Sequence, residues 1–141
     1  MAAMPDDCLF CRIAGGEAPG LVVYESETAV GFLDTRPVFP GHTLVVPRQH
    51  VVTYLDLPAD LIGPFFAAGQ EIADAVTRGM AAQGTFVAMN NVVSQSVAHL
   101  HLHVVPRTKG DGLRGFFWPR RKYAEGEAER CADQIRTALT A

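Results

Sequence analysis

The chain has 141 residues and a net charge of −3, and 48% of its residues are hydrophobic against 19% that are charged. This balance excludes an intrinsically disordered chain, and the acidic excess argues against a dedicated nucleic-acid binder. The length suits a single domain over residues 1–141.

The N-terminal half predicts a short helix followed by strands. Residues 8–15 can form one helical turn that ends at two glycines, and the apolar runs 21–25 and 28–33 indicate a β-hairpin. Prolines and a glycine then predict a loop. The β-branched run 43–46 predicts a third strand, which ends at Pro47.

The C-terminal half predicts a long helix, two strands and a terminal helix. Apolar residues recur at three and four positions over 60–80, which gives this helix one core-facing side. Strands are predicted over 84–89 and 96–105, and a second helix over 123–139. The order of these elements favours an α+β fold with an antiparallel sheet.

All five histidines lie in three places: His42, His50 and the alternating run His99-Leu100-His101-Leu102-His103. On a strand, alternate residues share one face, so the three histidines of the run would face a cleft or a ligand while the leucines enter the core. A neutral imidazole is a competent nucleophile at neutral pH. Histidine pairs on a strand also bind metals, and both uses are open at this point.

The histidine run resembles the signature of the histidine triad (HIT) hydrolases and transferases. Further segments follow in the order typical of that family, so the resemblance covers about residues 8–107 and leaves 108–141 as a C-terminal extension. The Hint branch is closer than the Fhit branch. The matching segments are Cys8-Leu9-Phe10-Cys11-Arg12-Ile13, Phe32-Leu33-Asp34, Pro40-Gly41-His42, Val46-Pro47-Arg48-Gln49-His50, Asn90-Asn91 and Gln95-Ser96-Val97.

The resemblance implies a HIT-like antiparallel sheet of about five strands, one long helix and a C-terminal helix. It also implies a homodimer with one sheet continuous across both subunits. Within the site, His101 would attack the α-phosphorus of a nucleotide and form a nucleotidyl-histidine intermediate that water resolves. His103 would bond a phosphate or leaving-group oxygen, and His42 would support the triad. Ser96 and Gln95 would lie beside the leaving group.

The same resemblance implies where the nucleotide lies. Asp34 would bind the ribose hydroxyls and Asn90 would lie near the phosphate. The base pocket would be formed by Leu9, Phe10, Ile13, Phe32 and Leu33. One segment departs from the family pattern, because Val92-Val93-Ser94 is about two residues shorter than usual and contains no glycine. Backbone amides that approach a phosphate often rely on glycine, so the shape of the leaving-group side is open.

Cys8 and Cys11 form a Cys-x-x-Cys pair. A redox pair normally follows a strand, and none is predicted before residue 8. Two thiolates with two imidazoles make a closed zinc site, an arrangement that some HIT proteins and the related galactose-1-phosphate uridylyltransferases contain. We predict structural zinc on Cys8, Cys11, His50 and His99, with an empty thiol pair and a redox pair as the alternatives.

We predict an enzyme that acts on the α-phosphate of nucleoside 5′-monophosphate derivatives, such as derivatives of AMP or GMP, in the manner of a purine nucleoside phosphoramidase. The alternatives within the family are a dinucleoside polyphosphate hydrolase and a nucleotidyl transferase. Outside this class stand a weakly catalytic nucleotide-binding protein and a redox zinc protein. Loss of turnover with retained nucleotide binding in a His101 variant would separate an enzyme from a binding protein.

Residues 107–122 contain six basic side chains, one acidic side chain and the adjacent aromatics Phe116-Phe117-Trp118. The basic stretch either binds phosphate or is a solvated tail. We predict the aromatics at the dimer interface or near the partner's active site, with packing on their own subunit as the alternative.

The predicted location is the cytoplasm. The acidic N-terminus has no targeting pattern, and the odd count of three cysteines argues against a secreted disulfide framework. No apolar run approaches the roughly 18 residues of a transmembrane helix, so no membrane partner is predicted.

Overall fold

The computed structural model describes residues 7–113 and 121–139, and within them the strands form a five-stranded antiparallel sheet. The strands are β1 Val22–Glu25, β2 Ala29–Leu33, β3 Thr43–Pro47, β4 Gly84–Ala88 and β5 Leu102–Arg107. The helices are α1 Leu9–Ala14, α2 Ala59–Gly79 and α3 Glu127–Leu139, with a 3₁₀ turn at Tyr54–Asp56. The strand order is β1-β2-β3-β5-β4, so β5 lies between β3 and β4. The predicted fold class is therefore confirmed.

Helix α2 covers one face of the sheet. Its residues Phe65, Ile72 and Val76 recur at helical spacing and are buried. Gly69 allows a close approach, because a Cβ there would lie 2.7 Å from Leu102 Cδ2. Burial of a large side chain such as Phe65 stabilises the fold by about 1.5–3 kcal/mol. The partners on the sheet include Ala29, Val45, Leu102 and Val104.

Helix α1 packs against the residues that alternate with that set. Phe10 and Ile13 of α1 share a second buried cluster with Phe32, Leu44 and Val46. Because successive strand residues point to opposite faces, the central strands are apolar on both sides. This double burial explains why β2 and β3 read as nearly continuous apolar runs.

The predicted strand over 96–105 is wrong in its first half, since β5 begins at Leu102. The Leu100 N–H donates to the carbonyl of Val51 at 2.8 Å, which takes this residue out of the sheet ladder. The alternation of histidine and leucine still has a physical cause, because Leu100 is fully buried in the α2 core and His99 is fully buried elsewhere.

The other predicted elements are observed with small shifts. The short helix, the hairpin, the third and fourth strands and α2 begin and end within about two residues of the predicted positions. The C-terminal helix begins later, at Glu127 instead of residue 123. Gly126 has a φ of +75°, which turns the chain just before the helix. The Glu127 carboxylate also accepts the Ala124 N–H at 2.9 Å.

The chain divides into two compact units, residues 1–111 with the sheet and residues 112–141 with α3. The prediction of a single domain stays a prediction. The adjacent aromatics at 116–118 lie outside the described residues, so their predicted packing is untested as well. In the described part of the chain, no helix is both long and apolar enough to cross a membrane.

Candidate functional site

A cleft of about 310 Å³ opens beside α1. Small-molecule sites typically have volumes of about 300–1,000 Å³. The apolar wall contains every predicted base-pocket residue: Leu9, Phe10, Ile13, Phe32 and Leu33. The predicted polar residues that reach the cleft are Asp34, Ser96, His101 and His103.

The hydrogen bond at His101 Nδ1 fixes which nitrogen carries the proton in the neutral form of the ring. Its Nδ1 lies 2.7 Å from the carbonyl oxygen of His99. A carbonyl only accepts, so Nδ1 carries the proton and Nε2 keeps its lone pair. The ring of Phe10 packs edge-on against the imidazole at a centroid distance of 5.1 Å. His101 therefore has the tautomer and the orientation that a nucleophile needs.

His42 and His103 form a hydrogen-bonded chain that also fixes their tautomers. The backbone N–H of Val38 donates to His42 Nδ1 at 3.0 Å, so the proton of His42 is on Nε2. That Nε2–H donates to His103 Nδ1 at 2.9 Å. The proton of His103 is then on its own Nε2, which makes His103 a hydrogen-bond donor beside the nucleophile.

Burial keeps both members of this chain neutral. Burial is the largest cause that lowers the pKa of His103 to about 4; the neighbouring His101 and His42 add to the shift and Asp34 opposes it. Burial also lowers the pKa of His42, again against the opposing charge of Asp34. At neutral pH each ring therefore has one proton, as the chain of hydrogen bonds requires.

Asp34 and Arg36 are the charged side chains of the cleft. Asp34 Oδ1 accepts the Arg36 backbone N–H at 2.8 Å, and Asp34 Oδ2 lies 3.7 Å from His42 Nε2. Both side chains line the cleft, and the Arg36 guanidinium has no partner among the described residues. Apart from His101 and His103, these two are the titratable side chains that line the cleft, and their opposite charges balance.

Gln95 and Asn90 are not among the residues that line the cleft, and their predicted roles beside the leaving group and the phosphate stay predictions. Gln95 Oε1 accepts the Val92 N–H at 2.9 Å, and Gln95 Nε2 donates to the carbonyl of Val52 at 2.5 Å. Asn90 Nδ2 donates to the carbonyl of Ser94 at 3.2 Å. Both amides stabilise the loop over 90–95, where the backbone lacks partners in a regular element.

The shortened loop is strained. Val92 and Ser94 have φ values of +69° and +63°, in the left-handed region that favours glycine. Each such residue costs on the order of 1–3 kcal/mol, which the rest of the fold must offset. Part of that support comes from Asn91, whose Oδ1 accepts the Tyr54 N–H at 2.7 Å.

The four predicted metal ligands lie together. One ligand atom from each of Cys8, Cys11, His50 and His99 lies within 4.8 Å of the others. His99 Nε2 donates to the carbonyl of Pro47 at 2.9 Å, which leaves the lone pair of Nδ1 facing the cluster. His99 is thus the histidine of the run that does not reach the cleft, and it lies with the other predicted metal ligands.

The cluster fits a tetrahedral ion. With Zn–S bonds of about 2.3 Å and Zn–N bonds of about 2.05 Å, a regular tetrahedron has S···N edges of about 3.5 Å and N···N edges of about 3.3 Å. His99 Nδ1 lies 3.4 Å from each sulfur and 3.1 Å from His50 Nδ1. Burial, with a smaller contribution from Cys8, raises the pKa of Cys11 to about 12. A bound cation would reverse this shift, because thiolates are the form that binds metals.

Several cleft residues have no counterpart among the predicted site residues. Thr35 and Arg36 follow Asp34 directly, so the same loop could have indicated them. Val97 likewise adjoins Ser96. No local pattern marks Pro19, Gly20 or Leu44, which reach the cleft through the tertiary fold.

Comparisons with known proteins find similar chains in one family. A model of the HIT domain matches residues 15–110. The uncharacterized HIT-like protein Rv1262c of Mycobacterium tuberculosis is 42% identical over 108 residues, which is 75% of each chain. The adenylylsulfatase HINT3 of Arabidopsis thaliana is 30% identical over 114 residues, 79% of this chain and 58% of that protein.

Two further matches bear on activity and metal. The adenosine 5′-monophosphoramidase hnt1 of Schizosaccharomyces pombe is 25% identical over 134 residues, 94% of this chain and 98% of that protein. A solved structure of a Zn-bound histidine triad family protein from Mycobacterium smegmatis has 40% identity and a TM-score of 0.72. It covers 94% of this chain and 97% of that chain.

Proposed function

Because the chain belongs to the HIT domain family, we propose that it cleaves nucleoside 5′-monophosphate derivatives at the α-phosphorus, as a purine nucleoside phosphoramidase. The observation that carries this proposal is the hydrogen bond from His101 Nδ1 to the His99 carbonyl, which leaves Nε2 free in the cleft. Two relatives with named activities, an adenylylsulfatase and an adenosine 5′-monophosphoramidase, support the choice of reaction class.

The nucleoside occupies the cleft with its base against the apolar wall. Phe10 and Phe32 pack edge to face there with a centroid distance of 5.2 Å, which gives a rigid apolar surface for a purine. Asp34 accepts hydrogen bonds from the ribose hydroxyls through the acceptor capacity that the Arg36 N–H leaves unused. The α-phosphate then lies between His101 and His103.

The reaction proceeds in two displacements at phosphorus. His101 Nε2 attacks, an N–P bond forms, and the bond from phosphorus to the leaving group breaks. The positive charge on the imidazole is stabilised by the His99 carbonyl at Nδ1. His103 donates its Nε2–H as a hydrogen bond to a phosphate oxygen. Ser96, on the leaving-group side, passes its hydroxyl proton to the departing amine and regains one from the water that attacks next. Water then attacks phosphorus, which releases the nucleoside monophosphate and restores His101.

The charge of the cleft supports a substrate with one phosphate. The described residues that line it supply a single cation, Arg36, and a single anion, Asp34. A polyphosphate bridge contains several more negative charges than one guanidinium neutralises, and unpaired charge in a cleft is costly. A phosphoramidate, whose leaving group is an amine, needs no such compensation.

We also propose that Cys8, Cys11, His50 and His99 hold structural zinc. The donor set, the spacing and the Zn-bound relative support this assignment. When bound, the ion supplies a cross-link between α1 and the histidine run and no chemistry at phosphorus, because four protein ligands leave no open position. Thiolate ligands must stay reduced, so we place the protein in the cytoplasm.

We further propose a homodimer whose sheet continues through β4. This strand pairs only with β5 among the described strands, which leaves one edge open. Val87 on β4 is half exposed, as an edge that awaits a partner would be. Light scattering coupled to size exclusion should give twice the 15.2 kDa chain mass; a monomer would contradict the proposal.

Steady-state turnover tests the proposed activity. Adenosine 5′-phosphoramidate, adenylyl sulfate and diadenosine polyphosphate are compared with the native protein and the His101→Ala variant. The proposal expects phosphoramidate cleavage that falls by about 10⁴-fold in the variant, while AMP binding remains. Preferred cleavage of the dinucleotide would replace the phosphoramidase with a polyphosphate hydrolase. AMP binding without turnover of any substrate would leave a binding protein.

A further inference from the structure

The metal cluster and the nucleotide cleft are built from the same short helix. Cys8 and Cys11 point from the start of α1 into the cluster, whereas Phe10 and Ile13 of the same helix line the cleft. Helix α1 has only six residues, from Leu9 to Ala14. A helix this short is unstable by itself, so its position depends on what holds its side chains.

The two sites also share His99. Its side chain faces the cluster, and its carbonyl accepts the Nδ1–H of His101 at 2.7 Å. The ring of Phe10 contacts both imidazoles, with centroid distances of 6.1 Å to His99 and 5.1 Å to His101. A displacement of His99 would therefore move the group that sets the tautomer of the nucleophile and the ring that packs against it.

We propose that metal binding at this cluster and nucleotide binding in the cleft are thermodynamically coupled, with His99 as a positioning residue for His101. An ion on the four ligands fixes α1 against the histidine run, which preorganises the base wall and the nucleophile together. The inference rests on the proposed nucleotide site. It adds that the metal acts as an effector of nucleotide affinity in addition to stabilising the fold.

The physical reason is the state of the cluster without its ion. His50 Nδ1 and His99 Nδ1 lie 3.1 Å apart, and only one proton can be shared between them. Each sulfur contact in the cluster is 3.4 Å long, and thiols form weak hydrogen bonds. Without the cation, α1 is held by the apolar packing of Phe10 and Ile13 and by these weak contacts, so nucleotide binding must supply part of the ordering of the helix. Ligand-induced ordering weakens affinity by its own cost.

Linkage requires the coupling to act in both directions by the same factor. AMP affinity is measured by calorimetry on the zinc-loaded protein and on protein stripped with a chelator. Zinc affinity is measured against a chromophoric chelator with and without saturating AMP. The expected result is a change of about 10-fold in each affinity, with equal factors. Binding stoichiometry reports the folded fraction in each calorimetric run.

A matched pair of variants tests the role of the ligand set. His50 does not line the cleft and contacts His99 at a centroid distance of 5.0 Å. His50→Ala removes one ligand and should weaken AMP binding by about 10-fold. His50→Cys supplies a thiolate, which gives the equally common Cys₃His zinc set, and should restore the native affinity. An effect of the His50 ring alone would appear equally in both variants.

The outcomes separate the two proposals. Equal shifts in the two affinities, with rescue by His50→Cys, support the coupling. AMP binding that is identical with and without zinc overturns the coupling and leaves the proposed function intact. Absence of AMP binding by the zinc-loaded protein overturns both. Failure to bind zinc overturns the coupling and the metal assignment together.

Discussion

The histidines at the two ends of the run, His99 and His103, differ in their hydrogen-bond partners. His99 and His103 are four positions apart, and burial lowers the pKa of each to about 4. His99 donates to a backbone carbonyl and turns its lone pair toward two cysteines. His103 accepts from His42 and turns its proton toward the cleft. In each histidine, the hydrogen-bond partner of one ring nitrogen thus determines whether the other ring nitrogen presents a lone pair or a proton.

Under the proposed function, the alternating signature contains two sites with opposite requirements. A metal site needs lone pairs directed at one point, and a phosphoryl-transfer site needs one lone pair beside one donor. His101 stands between them, bonded to the His99 carbonyl and 5.0 Å by ring centroids from His103. A variant at the His103 end should keep its zinc, whereas loss of zinc at the His99 end should weaken nucleotide binding through the proposed coupling.

The largest expected effect is at the metal end. Cys11→Ser should abolish zinc binding and lower the free energy of unfolding by about 3 kcal/mol or more, because the cross-link of α1 is lost. Metal analysis and chemical denaturation measure the two quantities. Cys131→Ser is the matched control, since this free cysteine lies on α3 and outside the cluster. Equal zinc content in both variants would contradict the ligand assignment.

The next effect is at the catalytic end. His42→Ala removes the donor to His103 Nδ1, so the tautomer of His103 is no longer fixed. We expect kcat to fall by about 10²-fold and the zinc content to stay at one per chain. A KM change without a kcat change would contradict the role of His42, because the loss would then concern substrate binding alone.

The loss of stability and turnover at acid pH tests the role of His103. The folded state lowers its pKa from an ordinary 6.5 to about 4, so the fold favours the neutral ring. The stability that depends on the neutral ring is complete above pH 6.5 and is lost as the pH falls through about 4. Turnover should follow the same acid limb, because protonated His103 cannot accept from His42. Zinc release recorded over the same range separates this limb from loss of the metal, and full activity near pH 4 would contradict it.

The smallest expected effect is on stability, in the strained loop that precedes the histidine run. Val92→Gly places a glycine at a φ of +69° and should raise the free energy of unfolding by about 1 kcal/mol or less. Val93→Gly is the matched control, since Val93 is outside the positive-φ set and gains only unfolded-state entropy. Thermal unfolding of the pair tests the strain. Equal destabilisation by both substitutions would show that Val92 is not strained.

The sequence predicts the elements whose apolar period is unambiguous. The hairpin over 21–33 and the long helix α2 follow from strand and helix spacing, and these elements place Asp34 and the apolar wall. The predicted strand over 96–101 fails because alternation arises there from two different burial sites. Alternation with a period of two indicates which side each side chain faces. It does not indicate whether the backbone forms the hydrogen bonds of a β-sheet.

The hydrogen-bond partners of the side chains in the 90–95 loop also could not be predicted from the sequence alone. Gln95 and Asn90 match the family pattern, yet their amides bond to loop backbone and do not reach the cleft. That choice depends on the left-handed residues Val92 and Ser94, whose conformations the sequence disfavours. The grouping of Cys8, Cys11, His50 and His99 could be predicted, because the chemistry of thiolates and imidazoles restricts which residues can form a closed metal site.

Native mass spectrometry during turnover tests most directly the claim that the two ends of the run are separate sites. The protein is mixed with adenosine 5′-phosphoramidate, and fragments of the trapped species locate the adduct. The account predicts one zinc per chain, one adenylyl group on His101, and loss of the adduct but not of the zinc in His101→Ala. An adenylyl group on His99 or His103, or zinc that leaves when the adduct forms, would contradict it.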